Sequence, residues 1–182
     1  LAACPSSPDN VRPVSELADV EVSQVVIGSC TNSSFQDMAT VATVLSGRTI
    51  PPRVSLAIAP GTRQVLEMMA DGEILKTIVA AGARFLESAC GPCIGQGASP
   101  AEGEVTVRTF NRNFAGRTGT KNDLCYLVSP ETAAVTALNG RLTDPRHAGI
   151  EHPEPPPPSA FLVDDSMIVP PAPEPKAPII RK

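Results

Sequence analysis

Three of the five cysteines stand in glycine-flanked loops, Gly28-Ser29-Cys30-Thr31-Asn32-Ser33-Ser34 and Cys90-Gly91-Pro92-Cys93-Ile94-Gly95-Gln96-Gly97. Thiolates are the usual protein ligands of iron–sulfur clusters and of zinc, and the Cys90-x-x-Cys93 spacing lets two sulfurs face one ion or one cluster. The number three is informative. A four-iron cubane needs a ligand on every iron, so three thiolates leave one iron open to bind a hydroxyl or a carboxylate as a Lewis acid. A third loop, Asn111-Arg112-Asn113-Phe114-Ala115-Gly116-Arg117, supplies the complement. Arg112 and Arg117 are rigid forks suited to gripping carboxylates, and Asn111 and Asn113 both donate and accept hydrogen bonds. Open iron beside carboxylate clamps points to hydration or dehydration of a small polycarboxylic acid.

Other chemistries fit parts of this set. Cys90 and Cys93 in CGPC resemble a thiol redox pair, in which a helix N-terminus lowers the thiolate pKa. Such a pair normally opens a helix, whereas Cys93 leads into Ile-Gly-Gln-Gly, a poor helix start, and Cys30 is left without a role. A structural zinc site needs a fourth ligand from Cys125, His147 or His152, and both histidines lie in or near a proline-rich tail that favours exposure. Cys4 and Cys125 read as small buried apolar residues, Cys125 being in the middle of Leu-Cys-Tyr-Leu-Val. An odd cysteine count in a chain of this size argues against a disulfide framework.

The elements that must position these loops follow from periodicity. Gln24 to Ile27, Val54 to Ile58, Arg84 to Glu87, Val105 to Phe110 and Leu124 to Val128 read as strands. Between them, Met38, Val41, Ala42 and Leu45 share one helical face, as do Val65, Met68 and Met69, and Ile74, Leu75, Ile78 and Val79. Ser129 as N-cap, Pro130 at the first helical position, and Gly140 at the end bound a last helix. Residues 1 to 20, rich in Pro, Ser and Asp, read as an entering surface loop. Strands alternating with helices imply a mainly parallel sheet covered on both faces, with ligands outside the strands' carboxyl ends. All three chemical loops follow strands in this scheme.

Composition narrows the function classes. The 182 residues carry a formal net charge of -4, which argues against nucleic-acid binding, and 3% aromatics argue against stacking platforms. No apolar run is long enough to span a membrane and no signal-peptide layout opens the chain, so a cytoplasmic location is expected. Of 20 prolines, ten lie in the last 32 residues, so the excess belongs to a tail. The Asp164-Asp165 pair in that tail reads as a solvated turn.

The three loops, as GSCTNSS, ACGPCIGQ and FNRNFAGR in that order, resemble the aconitase superfamily. The resemblance extends from ACPSSPDNV through LVSPETAAVTALNG to FLVDDSMIVPP, essentially the whole chain. It implies the third domain of three, an α/β three-layer αβα sandwich. It also implies a 4Fe-4S cluster on Cys30, Cys90 and Cys93 with one iron lacking a protein ligand, and substrate contacts at Asn111, Arg112 and Arg117. Residues 1–150 are then the cluster-binding domain, and 151–182 a proline-rich linker toward a swivel domain. The catalytic groups of the other domains have no counterpart here, so no catalytic residue is assigned to this chain. Together with a chain that begins at Leu1, this leads us to expect one domain of a larger enzyme, inactive alone. The implied parent is an aconitate hydratase interconverting citrate and isocitrate, with 3-isopropylmalate dehydratase and homoaconitase large subunits as alternatives. The expected partners are a small tricarboxylic or dicarboxylic acid and the remaining aconitase domains.

Overall fold

The computed structural model describes residues 1–150 and 153–171. They form an α/β fold on a seven-stranded, mostly parallel sheet, consistent with an αβα sandwich. The strands are β1 (Ala2–Ala3), β2 (Val11–Arg12), β3 (Gln24–Gly28), β4 (Ser55–Ala59), β5 (Arg84–Phe85), β6 (Val105–Arg108) and β7 (Leu124–Leu127). Their order across the sheet is β2-β1-β7-β6-β3-β4-β5. β3 is the middle one of the five parallel strands and is buried along its whole length, which is why it reads as an unbroken Val-Val-Ile run rather than an alternation.

The chain runs β3, β4, β5 toward one edge and then returns to the opposite flank of β3 for β6 and β7. At such a reversal the loops after neighbouring strands diverge and leave a crevice beyond the carboxyl ends. Here the diverging loops follow β3 and β6, which carry Cys30 and the Asn111–Arg117 segment. Topology therefore selects the same loops that residue chemistry does.

Helices α1 (Phe35–Leu45), α2 (Arg63–Asp71), α3 (Glu73–Ala80) and α4 (Pro130–Asn139) bury their apolar stripes with Val25, Ile27, Leu56, Ile58 and Val107 on one face of the sheet. The other face holds Val26 and Ala57 under Cys93, Ala98 and Phe110. Both faces are thus covered, one by helices and the other by the connection from β5 to β6. Several helix boundaries have a chemical cause. Ser34 caps α1 in a reciprocal box with Asp37, Thr62 accepts from Val65 N ahead of α2, and α4 ends at Gly140 in the left-handed region. Replacing Ser34 by alanine removes the box, and urea titration is expected to show a loss of about 1 kcal/mol.

Two readings of the termini change. The first twenty residues are not only loop: β1 and β2 pair antiparallel, and β1 joins β7 through Ala3 opposite Leu127. Two-residue strands carry no periodicity, so only the sheet edge that they close defines them. Residues 153–171 contain no helix or strand, but they are tied down: Gln36 donates to Pro155 O (2.7 Å), Gln64 to Asp164 O (3.2 Å), and Arg63 pairs with Asp164. The Asp164-Asp165 pair does open an exposed turn, with Ile168 N donating to Asp165 O at 2.8 Å, and Asp164 also anchors it on α2. His147 is exposed in a short 3-10 turn, and His152 lies outside the described residues. Among the described residues no helix is long and apolar enough to cross a membrane.

Candidate metal centre

β3 leaves the sheet at Gly28, whose φ of 112° suits glycine alone and whose hypothetical Cβ would lie 2.0 Å from Ala59 O. The next amide, Ser29 N, donates to that same carbonyl at 2.7 Å. Ser29 and Asn32 then adopt φ of 62° and 49°, left-handed values that are costly for side-chain-bearing residues and bracket Cys30. The surroundings hold them there. Gly28 N donates to Thr109 Oγ1 (2.9 Å), Asn32 Nδ2 to Thr109 O (2.6 Å), and Ser29 Oγ to Ala89 O (3.3 Å). Thr109 follows β6 and Ala89 precedes Cys90, so the Cys30 loop is bonded to both of the others.

Cys90 precedes and Cys93 lies within a 3-10 turn, Gly91–Ile94, that Gly95 ends with a φ of 91°. A Cβ on Gly95 would lie 2.2 Å from Thr118 O, so this glycine lets the cysteine turn sit directly against the segment bearing Arg117. The glycines at 28 and 95 thus serve close approach of backbone to backbone. Cys30 and Cys90 are exposed, whereas Cys93 is buried, with 3% of its surface accessible. Arg117 Nη2 donates to Cys93 Sγ at 3.3 Å, and its guanidinium lies 5.7 Å from the centre of the Phe114 ring.

Cys30 and Cys93 are shifted in opposite directions. The Thr31 hydroxyl chiefly, with Cys90 assisting, lowers the pKa of Cys30. Burial chiefly raises that of Cys93, and charge on Cys90 and Cys30 adds to the rise while Arg117 opposes it. Among the described residues no three His, Cys, Asp or Glu side chains close around a single ion. A four-iron cluster asks for something different, one thiolate per iron along one side of a larger body. The donor set fits that demand: three thiols from two loops, two of them exposed, with a cation on the third. The zinc alternative gains nothing here, since Cys125 is buried mid-strand with its thiol pushed up to about 12 by burial and His147 is exposed. The redox alternative meets a 3-10 turn ending in a left-handed glycine where it needs the start of an α-helix.

The third loop is divided. Asn111 and Arg112 are exposed, and of the two arginines only Arg117 is seen to reach a cysteine. Asn113 turns inward, its Nδ2 donating to Cys4 O (2.8 Å), Cys125 O (3.1 Å) and Ala3 O (3.3 Å), so it anchors β1 instead of facing the crevice. Two supporting residues escape a reading by motif. Buried Asp123 accepts from Gly116 N (3.0 Å), Thr118 N (3.3 Å) and the Thr118 hydroxyl, fixing the turn on either side of Arg117. Arg108, fully buried on β6, bonds to the cysteine connection. Its signal was parity: Gln24 on β3 and Thr106 and Arg108 on β6 put polar groups on one sheet face.

Residues 6–140 match the model of the aconitase family (aconitate hydratase). The chain is 43% identical over 145 residues to 3-isopropylmalate dehydratase large subunit 1 of Methanopyrus kandleri, covering 79% of this chain and 35% of that protein. It is also 43% identical over 145 residues to the methanogen homoaconitase large subunit of Methanocaldococcus jannaschii, covering 78% and 34%. A second large subunit of 3-isopropylmalate dehydratase, from Archaeoglobus fulgidus, is 42% identical over 144 residues, covering 78% and 34%. The chain spans about a third of the length of these relatives. With a matched region that contains all three cysteines and all of the loops they stand on, the chain belongs to the aconitase family.

Proposed function

We propose that this chain is the cluster-bearing part of a hydro-lyase large subunit of the 3-isopropylmalate dehydratase or homoaconitase kind. The observation that carries the reading is the bonding of the Cys30 loop to the segment leading into Cys90, with Arg117 of the third loop on Cys93. Aconitate hydratase, the parent expected from the motifs, gives way because similar proteins bear the other two names. The motifs could not separate these enzymes, since their cluster loops are shared.

Cys30, Cys90 and Cys93 are the residues that would hold a 4Fe-4S cluster, and the bound cluster supplies a Lewis-acidic iron for a hydroxyl. Arg117 takes a substrate carboxylate through the face of its fork not given to Cys93, Arg112 takes a second carboxylate, and Asn111 hydrogen-bonds the acid between them. Asp123 and Phe114 hold Arg117 in that pose. The base that removes the substrate proton is assigned to the remaining domains, the swivel domain among them, toward which 151–182 leads from the 1–150 unit. All five cysteines are free, which suits the reducing cytoplasm in which we place the protein.

Anaerobic reconstitution with iron and sulfide, followed by titration with 3-isopropylmalate, homoaconitate and citrate, tests the reading. A brown chain whose visible spectrum responds to either of the first two acids below the citrate concentration supports it. Tighter citrate binding restores the aconitate hydratase reading, and catalysed insulin reduction that survives Cys30→Ser replaces both with redox chemistry. Lysine at 117 keeps the charge but loses the fork, so Arg117→Lys is expected to weaken the acid's effect by about ten-fold while the cluster still forms.

A further inference from the structure

Arg108 is the largest fully buried side chain, and its charge has no carboxylate partner among the described residues. Every acceptor it uses is neutral. Nη1 donates to Pro92 O (2.5 Å), Nη2 to Ala98 O (2.5 Å) and Gln24 Oε1 (3.2 Å), and Nε to Thr106 Oγ1 (3.2 Å). Gln24 extends the network: it accepts from Thr106 Oγ1 (2.8 Å) and donates through Nε2 to Ser99 O (3.3 Å). The guanidinium also lies 5.5 Å from the centre of the Phe110 ring. Burial pulls its pKa below the ordinary arginine value. A buried cation costs several kcal/mol unless charge or hydrogen bonds offset it, so a neutral residue would be the cheaper occupant of a merely structural position.

Where the four bonds go is specific. Pro92 immediately precedes Cys93 and Ala98 lies five residues beyond it, so one guanidinium grips the cysteine turn on both sides and fastens it to β3 and β6. We propose that Arg108 is a positioning residue for the metal centre, holding the Pro92–Ala98 segment so that Cys93 stays buried and facing Arg117. Resting on the proposed function, this gives the unpaired cation a partner too, because thiolates bound to a cluster bring negative charge to the segment it grips. Arg108 touches neither substrate nor the reacting atoms in this scheme.

The test uses the cluster-free chain of 182 residues. Alkylation at fixed pH, followed by mass spectrometry of each cysteine, compares wild type with R108Q and R108K. Cys90 reports an exposed thiol and Cys125 reports global opening. R108Q is expected to raise the Cys93 labelling rate about ten-fold, the value of losing one charged hydrogen-bond set, with Cys125 unchanged. R108K, which keeps charge without the fork, is expected to fall between, and it decides the matter if R108Q unfolds. Cys93 labelling that stays at the wild-type rate in both variants overturns the proposal. So does a parallel rise at Cys93 and Cys125 in both, which makes Arg108 a general support of the fold. Because no cluster is needed, failure of iron–sulfur uptake sinks the proposed function and leaves this result readable.

Discussion

Serine at position 93 is expected to reduce iron–sulfur uptake to less than about a tenth of wild type, while Cys125→Ser leaves it intact. The contrast follows from where the two buried thiols face. Cys93 lies in a 3-10 turn that ends against the Arg117 segment, and its sulfur already accepts from a guanidinium. Cys125 lies on β7 with its thiol pushed up to about 12 and its carbonyl held by Asn113. Three thiolates are the fewest that keep a cubane with a single open iron, and losing one leaves two irons without a protein ligand. Cys30→Ser and Cys90→Ser should behave like Cys93→Ser, measured as bound iron and visible absorption after anaerobic reconstitution. A zinc or redox site predicts otherwise, since neither needs Cys30 together with both members of the pair.

Alanine at Gly28 is expected to cost about 3–5 kcal/mol, the sum of a forbidden φ and a steric overlap with backbone. The φ of 112° lies outside even the left-handed well, and the overlap is with Ala59 O at 2.0 Å, a carbonyl on the adjacent strand β4 that cannot swing aside. For a domain of this size each kcal/mol corresponds to roughly 2–4 °C, so the thermal midpoint should fall by roughly 6–20 °C. Gly47→Ala is the control. Gly47 also has a positive φ, 68°, but nothing lies within 4 Å of its hypothetical Cβ, so only the conformational part remains. Calorimetry that shows equal losses for the two variants would mean that β3 and β4 can part at no cost.

Much of this was legible before any coordinates. β3, β4 and the four helices stand where hydrophobic periodicity places them, because β3 and β4 are apolar runs and the helices keep apolar stripes, with capping residues at the starts of α1, α2 and α4. The three loops were found by residue type, and their convergence follows from a sheet that reverses direction beside β3. What stayed hidden depends on partners distant in sequence. β1 and β2 are too short to show a period and exist through pairing with β7, and Asn113 looked like a ligand-handling side chain until its three carbonyl partners turned it inward. Arg108 sits in a Val-Thr-Val-Arg run whose first residues read as an ordinary strand, and only the β5–β6 connection lying over that face reveals what it grips. Asp123 supports Arg117 from six residues away across a turn that no motif marks.

The central claim is a cluster held by three thiolates with one iron left open, and Mössbauer spectroscopy of the chain reconstituted with isotopically enriched iron tests it most directly. Two iron populations in a ratio of roughly three to one are expected, the minor one alone shifting when a dicarboxylic hydroxy acid is added. Four equivalent irons, or a chain that takes up no cluster iron while folded, would contradict it.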